Sequence, residues 1–591
     1  MNRADLLRGA SLACGALALG EDGALPASAA AETADAELDA LFAEDRRDFY
    51  RRHPETASYE GVHSEDERWD DPSEAAAADE AARQREVLAR LARFDHAKLS
   101  ETGRTNLDLY SARLRDAVRG YELRTYLLAL NQRNGVQTDV SIVDNLPFAT
   151  AHDYAAWAAR VDAWPRKVDA TIAVLRDAVA RKMLWPRVVM DRVPAQLDRQ
   201  LVAPDAHPFF EPFTRVPSNI PAAEIAPLRE RVRGSIERGV LPALRRLRAF
   251  LADVYLPAAP TEVGLAHVPG GEALYAYLAR VNTTTNLAPK TIHELGLREV
   301  ARIRAAMETV APHTGYSGSL QDVFAKMRAD SANYHHDADA LLTAYRALAK
   351  RIDPELVRFF RMLPRAPYGV APIPSSIAPD ETTAYYQPGA LDGSRAGTYC
   401  VNLYLPEQRP IYEMPVLTLH EAVPGHHLQF SLAAELGSLP AFRRAAYYVG
   451  YSEGWALYCE SLGDEIGVYD NPKAKLGALS YEMWRAVRLV VDTGMHAFGW
   501  SRDRAIAYFL DNAAKTKLDV TNEIDRYITD PGQALAYKIG QLKILELRDR
   551  ARTKLGSRFD LRDFHQVVLG GGSLPLDMLE RRIDGWLAAG V

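Results

Sequence analysis

Apolar residues recur three and four positions apart along most of the chain, which is the spacing of one face of an α-helix. After an N-terminal leader, this pattern begins at Leu38 and returns over residues 81–94, 106–130, 151–183, 222–255 and 289–310. Proline and glycine separate the segments, as at Pro257 and Pro269-Gly270-Gly271. No stretch repeats at a fixed period, so a solenoid is not expected. The pattern predicts a mainly α-helical chain.

The pattern changes between residues 364 and 410, where closely spaced prolines make a helix implausible. Residues 383–386 and 398–404 are typical of short strands, and glycines between them supply turns. Helical spacing resumes at Pro415 and continues to the end. We therefore predict a helical N-terminal region over residues 36–364 and a second region over 365–591 that begins with a small β-sheet. Because single cores stop growing near about 250–300 residues, we expect two lobes or one elongated multi-lobed body.

The first residues have the composition of a secretory signal peptide, which we place at residues 1–31. Arg3 and Arg8 precede an apolar run over residues 9–20, and small residues suited to signal peptidase follow. The start is similar to a twin-arginine signal in which Ala4 replaces the second arginine. We expect an exported protein, periplasmic or secreted. No other stretch is long and apolar enough for a membrane helix, so stable membrane insertion is not expected.

Composition and charge narrow the class of protein further. The chain has 591 residues, 48% of them hydrophobic, which is typical of a globular protein. A net charge of −7 without a block of Lys or Arg argues against nucleic acid binding. The cysteines are Cys14, Cys400 and Cys459, too few for a disulfide framework. Cys14 stands in a poor lipobox, so a lipoprotein is not predicted, and the other two are expected to be buried free thiols.

A candidate metal site follows Pro415, in the segment His420-Glu421-Ala422-Val423-Pro424-Gly425-His426-His427. The common helical zinc motif places a second histidine four residues after the first and a Glu as general base beside the first. Here position 424 is proline, and on an unbroken helix His427 would lie about 10 Å along the axis from His420. Pro424 and Gly425 are therefore predicted to bulge the helix. The alternative is that Pro-Gly ends the helix and His426-His427 is a surface pair.

A third ligand is predicted in the aromatic-rich helix over residues 447–460, where a buried carboxylate must be paired or bind metal. Glu453 is the candidate ligand, and Glu460, two turns later, is a candidate outer partner. The alternative is a structural Glu453 bonded to Tyr or Arg. Two further histidine groups, His293-Glu294 and His335-His336, have no partner carboxylate at a useful spacing.

These motifs resemble the bacterial domain-of-unknown-function family 885. The resemblance is carried by residues 397–403, 415–429, 450–460, 492–496 and 531–540 and spans most of the chain after the leader. That family is similar to the gluzincin metallopeptidases, including Taq-type carboxypeptidases and thimet-type oligopeptidases. The resemblance implies a multi-helix zincin-like two-lobed fold with a small β-sheet beside the active-site helix, and one Zn²⁺ per chain.

In those peptidases a Gly-His pair carries the second ligand and a later Glu the third. Here Gly425-His426 takes the place of that pair, and Glu453 takes the third position. The two-residue insertion leaves both His426 and His427 open as the second ligand. We favour His426, with His427 beside the substrate.

Further residues are candidates for the chemistry of peptide hydrolysis. Glu421 is expected to deprotonate the zinc-bound water and pass the proton to the leaving amine. His496 and Tyr537 are the candidate donors to the oxyanion. Asp492 stands one helical turn from His496 and is predicted to hold its ring or to pair with Arg488, although a structural pair on one helix face is the alternative.

Substrate-binding residues are predicted from charge and from strand position. Arg485, Arg488 and Lys538 are candidates to receive a substrate carboxylate, with a solvated charged face as the alternative. The strand over residues 399–404, which includes Asn402, is a candidate edge for pairing with an extended peptide, and the alternative is that it is only a core strand.

The expected function is zinc-dependent hydrolysis of short peptides, carboxypeptidase- or dipeptidase-like. The alternatives are a metal-dependent amidohydrolase acting on a modified or non-peptide amide, and a non-catalytic binding protein that retains the fold. Intact Glu421 argues against the last of these. The sequence specifies neither an oligomeric state nor zinc over manganese or cobalt.

Overall fold

A computed structural model describes residues 27–590 except 376–377, 379–381, 390–394, 438 and 445. The described part of the chain is mainly helical. Its first fourteen α-helices precede the sheet: α1 (Ala27–Arg52), α2 (Pro54–Tyr59), α3 (Glu74–Leu91), α4 (Glu101–Glu122), α5 (Ala151–Arg181), α6 (Arg187–Met190), α7 (Val193–Asp198), α8 (Ala222–Ser235), α9 (Leu241–Phe250), α10 (Leu256–Ala258), α11 (Gly271–Thr283), α12 (Pro289–Val310), α13 (Leu320–Ala329) and α14 (Ala338–Ile352).

Eleven more helices follow the sheet within the described residues. They are α15 (Met414–Glu421), α16 (His426–Ala434), α17 (Ala441–Arg444), α18 (Val449–Ser461), α19 (Gly463–Ile466), α20 (Pro472–Phe498), α21 (Arg502–Asn512), α22 (Lys517–Thr529), α23 (Gln533–Leu555), α24 (Leu561–Leu569) and α25 (Leu576–Ala588). The predicted helix over 289–310 coincides with α12, and the one over 222–255 comprises α8, α9 and two π-helical segments, Ile236–Val240 and Leu251–Tyr255.

A three-stranded sheet lies between α14 and α15. Strands β1 (Tyr368–Pro372), β2 (Ala384–Gln387) and β3 (Gly397–Val401) are ordered β1-β3-β2. β3 pairs parallel with β1 and antiparallel with β2. The strand that begins at Tyr399 was predicted to offer an edge, and that prediction is wrong because β3 is the central strand. The edge nearest the helices of the candidate site is β2.

One hydrophobic core extends from Leu38 in α1 to Leu587 in α25 and so crosses residue 365. Inside it, α18 and α23 approach closely at Gly454 and Gly540: a Cβ on Gly454 would lie 2.5 Å from the Gly540 Cα. α18 also packs against α15. The predicted boundary at residue 365 therefore does not coincide with a break in the core. The division into regions 36–364 and 365–591 stays a prediction.

The predicted signal peptide, residues 1–31, lies mostly outside the described residues, as does Cys14. Cys400 and Cys459, the cysteines that the structure describes, are both buried and free, which confirms the prediction. None of the helices in the described ranges combines the length and hydropathy needed to cross a bilayer.

Candidate metal centre

The predicted motif forms the junction of two helices. His420 and Glu421 end α15, the backbone turns through Ala422–Gly425, and His426 begins α16. The helix is therefore interrupted at Pro424 and Gly425, and α15 and α16 are separate helices. A bulge inside one continuous helix was predicted. Gly425 folds back onto the end of α15, where an added Cβ would lie 1.9 Å from the His420 carbonyl oxygen. Only glycine allows this close approach, which places His426 beside His420.

The two imidazole rings meet at a right angle, with centroids 4.8 Å apart and an interplanar angle of 88°. Glu453 reaches them from α18: its Oε2 lies 3.5 Å from His420 Nε2 and 3.6 Å from His426 Nε2. All three side chains are buried. The structure thus brings together the three groups that the sequence predicted as ligands.

This donor set fits a zinc ion. Tetrahedral zinc with N and O ligands at about 2.0–2.1 Å separates neighbouring ligand atoms by about 3.3–3.4 Å. The distances of 3.5 and 3.6 Å from Glu453 Oε2 to the two histidines are close to that value. Two neutral imidazoles and one carboxylate are also the ligand types that zinc hydrolases use.

A second carboxylate, that of Glu421, also faces the cluster. Ligand atoms of His420, Glu421 and His426 lie within 4.8 Å of one another. Both carboxylates are thus near the imidazoles, but Glu453 is the one with an oxygen 3.5–3.6 Å from both Nε2 atoms. We therefore regard Glu453 as the better ligand candidate.

The directions of their pKa shifts distinguish Glu421 from Glu453 in the same way. Burial raises the pKa of Glu421, and the charges of His420 and His426 offset only part of that rise. Burial alone would also raise the pKa of Glu453, but hydrogen bonds from the same two histidines outweigh it and hold the pKa well below its usual range. Glu453 is accordingly the anionic partner of the imidazoles, and Glu421 is the carboxylate suited to exchange protons.

Outer contacts orient the inner groups. His420 Nδ1 lies 2.8 Å from Glu460 Oε1, which leaves Nε2 directed at Glu453. Burial would lower the pKa of His420, but hydrogen bonds with Glu453 and Glu460 raise it to about 9. The cluster therefore stabilises positive charge at this point. Tyr447 donates a hydrogen bond of 2.9 Å to Glu453 Oε1, so Oε2 alone faces the histidines.

His427 faces away from the cluster. Its Nδ1 lies 2.9 Å from the Tyr386 hydroxyl and 3.2 Å from that of Ser431. Its ring packs on Tyr368 with centroids 4.6 Å apart, and burial lowers its pKa to about 4. The difference arises because adjacent helical residues point about 100° apart.

The cluster opens into a cleft of about 1390 Å³. The predicted residues Tyr537, Arg485 and Arg488 line it together with His420, Glu421, His426 and Glu453, as do residues of β2. Tyr447 also lines the cleft, and sequence reasoning gave it no role. The sequence feature that could have identified Tyr447 is its position six residues before Glu453, in the same aromatic-rich segment.

The prediction that His496 faces the reaction centre is wrong. Its Nδ1 accepts a hydrogen bond from the backbone N–H of Leu265, and Nε2 lies 2.9 Å from the Tyr527 carbonyl oxygen. Asp492 does not hold that ring or pair with Arg488: it accepts a 2.6 Å hydrogen bond from the Tyr275 hydroxyl. His496 and Asp492 are almost fully buried in the packing of α20. The predictions for them failed because helical spacing does not reveal which face of a buried helix meets the cleft.

Lys538 and Asn402 also have structural contacts in place of the predicted contact with substrate. The Lys538 ammonium lies 3.0 Å from Glu299 and 2.7 Å from Glu482, with no exposed side-chain surface. Asn402 is 1% exposed and donates from Nδ2 to the Thr382 carbonyl oxygen at 3.0 Å. Both predictions as substrate-binding residues are therefore wrong.

The chain is similar to two solved structures over nearly its whole length. A protein from Colwellia psychrerythraea, provisionally described as a lipoprotein, is 28% identical with a TM-score of 0.88, over 94% of this chain and 100% of that chain. A protein from Shewanella oneidensis, described in the same way and as of unknown function, is 18% identical with a TM-score of 0.74, over 93% and 99% of the two chains. At that identity the second likeness shows the fold alone.

No curated protein matches the chain. The model of the family described as bacterial protein of unknown function (DUF885) matches residues 54–583, which is most of the sequence. The chain therefore belongs to the bacterial family of unknown function DUF885.

Proposed function

We propose that this protein is a zinc-dependent hydrolase of amide bonds in short peptides. The observation that carries the proposal is the convergence of His420 Nε2, His426 Nε2 and Glu453 Oε2, with distances of 3.5 and 3.6 Å from the carboxylate to the imidazoles. When bound, the metal would polarise a peptide carbonyl and lower the pKa of water.

The neighbouring residues of the chain have assignable roles. Glu421, whose pKa is raised by burial, would take a proton from water and deliver it to the leaving amine. Tyr537 lines the same cleft and is our candidate to donate a hydrogen bond to the oxyanion. Glu460 and Tyr447 orient His420 and Glu453.

The position of β2 supports a peptide as substrate. β2 is an edge strand, and residues 382–386 line the cleft beside the cluster. An edge strand presents unpaired backbone groups that an extended peptide can pair with. The proposal includes a distant relationship to the gluzincin metallopeptidases, with a zincin-like arrangement of two lobes about the cleft.

Export is part of the same proposal. Residues 1–31 have the composition of a signal peptide, and both similar structures are of proteins provisionally described as lipoproteins. Mass spectrometry of the mature N-terminus tests it. Cleavage within residues 25–31 is expected, and an intact Met1 or a lipid on Cys14 would contradict it.

The test of the hydrolase compares wild type with Glu421→Gln and with Glu294→Gln, an exposed glutamate in the chain's other His-Glu pair. We expect about one zinc per chain in all three by metal analysis. We expect cleavage of a synthetic peptide mixture by wild type and Glu294→Gln, and about 10²–10⁴-fold less by Glu421→Gln.

Three outcomes would contradict the proposal. Absence of bound metal would remove the centre itself. Metal without cleavage of any peptide would favour a non-peptide amide substrate or a binding protein. Cleavage that survives Glu421→Gln would remove the role of that residue.

A further inference from the structure

The cleft differs in charge from the protein as a whole. The chain carries a net charge of −7, whereas the described residues that line the cleft include seven arginines and five carboxylates. The lining is thus positive by two charges before any metal binds. A positive cleft in an acidic protein attracts anionic ligands.

The arginine best placed to bind such a ligand is Arg488, on α20. Its guanidinium carbon lies 4.4 Å from the ring centre of Tyr537 and 4.9 Å from that of Trp484. Nε donates to the Tyr527 hydroxyl at 2.7 Å, and Nη2 lies 3.2 Å from Glu523 Oε2. Nη1 is buried and has no hydrogen-bond partner among the described residues.

Among the described residues, the carboxylate that contacts Arg488 is Glu523, and this group is already shared. Glu523 Oε2 also accepts from Arg526 Nη2 at 3.0 Å and from the Tyr527 hydroxyl at 2.5 Å. Two guanidinium groups therefore share the Glu523 carboxylate, and neither forms an ion pair with another carboxylate among the described residues. A buried charged donor without a partner is costly, and such groups are often found where a ligand completes the site.

Arg485, one turn earlier on α20, has a different role. Its Nη2 lies 3.2 Å from Glu460 Oε1, the atom that also contacts His420, and its Nη1 donates to the Tyr481 carbonyl oxygen. Arg485 is therefore tied to the metal centre as a positioning residue. Arg488, whose Nη1 has no partner among the described residues, is our candidate to bind a ligand.

We propose that Arg488 binds the terminal α-carboxylate of a short peptide that lies in the cleft. Trp484 and Tyr537, both only partly buried, lie against the Arg488 guanidinium, and binding would require one of these rings to rotate so that the carboxylate reaches the buried Nη1. Arg488 and Tyr537 line the same cleft as the residues of the metal centre. This inference deepens the proposed function, and it implies cleavage near the C-terminus of the peptide.

The test measures binding, so that it does not depend on turnover. The Glu421→Gln protein is titrated calorimetrically with three probes: N-acetyl-Ala-Ala-Ala, its C-terminal amide, and N-acetyl-Ala-Ala-Glu amide. We expect the free acid to bind about 10- to 100-fold more tightly than either amide, since a charge-assisted hydrogen bond to a buried arginine is lost in both. Adding Arg488→Met is expected to abolish this preference, and Arg488→Lys to keep part of it.

The matched control is Arg298→Met, an exposed arginine that does not line the cleft, which is expected to keep the full preference. Thermal unfolding identifies any variant that fails to fold. If Arg488→Met does not fold, the acid preference of Arg488→Lys decides the question. Equal affinity for acid and amide, no binding of any probe, or a preference that survives Arg488→Met would overturn the proposal. Equally tight binding of the glutamyl amide would assign the subsite to an acidic side chain and overturn the terminal assignment. Acid-selective binding by a protein that hydrolyses no peptide would refute the hydrolase and leave the subsite standing.

Discussion

Glu460→Gln is the substitution whose effect can be worked out most fully from the structure. His420 Nδ1 and Glu460 Oε1 are 2.8 Å apart, and both side chains are 6% exposed. Glutamine preserves the shape and a hydrogen-bond acceptor but removes the charge that makes His420 a stronger ligand. Loss of such an outer partner usually lowers metal affinity 10- to 100-fold, which is about 1.4–2.7 kcal/mol. We expect Glu460→Gln to weaken zinc binding within that range.

The affinity is measured by competition with a chelator of known zinc affinity. The matched control is Glu465→Gln, because Glu465 follows closely on the chain but pairs with Arg548 at 2.8 Å and forms no ion pair with His420 or His426 among the described residues. The control is expected to stay within about twofold of wild type. If a folded Glu460→Gln protein binds zinc as tightly as wild type does, the orientation of His420 by Glu460 is not part of a metal site, and the reasoning is refuted.

Three further predictions follow. His426→Ala should lose stoichiometric zinc while His427→Ala keeps it, and metal analysis showing the reverse would reassign the second ligand. Gly425→Ala should lower the free energy of unfolding by about 1–3 kcal/mol, since its Cβ would lie 1.9 Å from a backbone oxygen, whereas Gly437→Ala, with open space around it, should not; equal thermal stability of the two would contradict this. Burial raises the pKa of Asp492 from 3.8 to about 7, so the folded state favours its neutral form and its contribution to stability is lost as pH rises from about 4 to 7. In urea unfolding at several pH values, wild type should lose up to about 4 kcal/mol of its free energy of unfolding over this range, and Asp492→Asn should not. A pH profile that is the same in both proteins would refute this prediction.

Local patterns predicted the helices well because each is specified by its own sequence. Pro289 opens α12, and apolar spacing continues to its end at Val310, as predicted. Strand β1 was missed, since Pro367 and Pro372 obscure its short pattern and its pairing with β3 is not local. That missing strand is also why β3 was taken for an edge.

The candidate site shows the same division. His420, Glu421 and Glu453 stand in compact motifs whose residue types limit the chemistry, so their convergence could be predicted. The choice of His426 over His427 depended on a turn whose path is set by contacts of Gly425 with the end of α15. His496 was misplaced because α20 is buried along most of its length, so its pattern of polar residues does not indicate which side lines the cleft.

The most direct test of the metal centre is a zinc-edge anomalous difference map from crystals of the zinc-loaded protein. We expect one peak per chain, among His420 Nε2, His426 Nε2 and Glu453 Oε2. A peak beside His427, a peak elsewhere on the chain, or no peak at full zinc loading would contradict it.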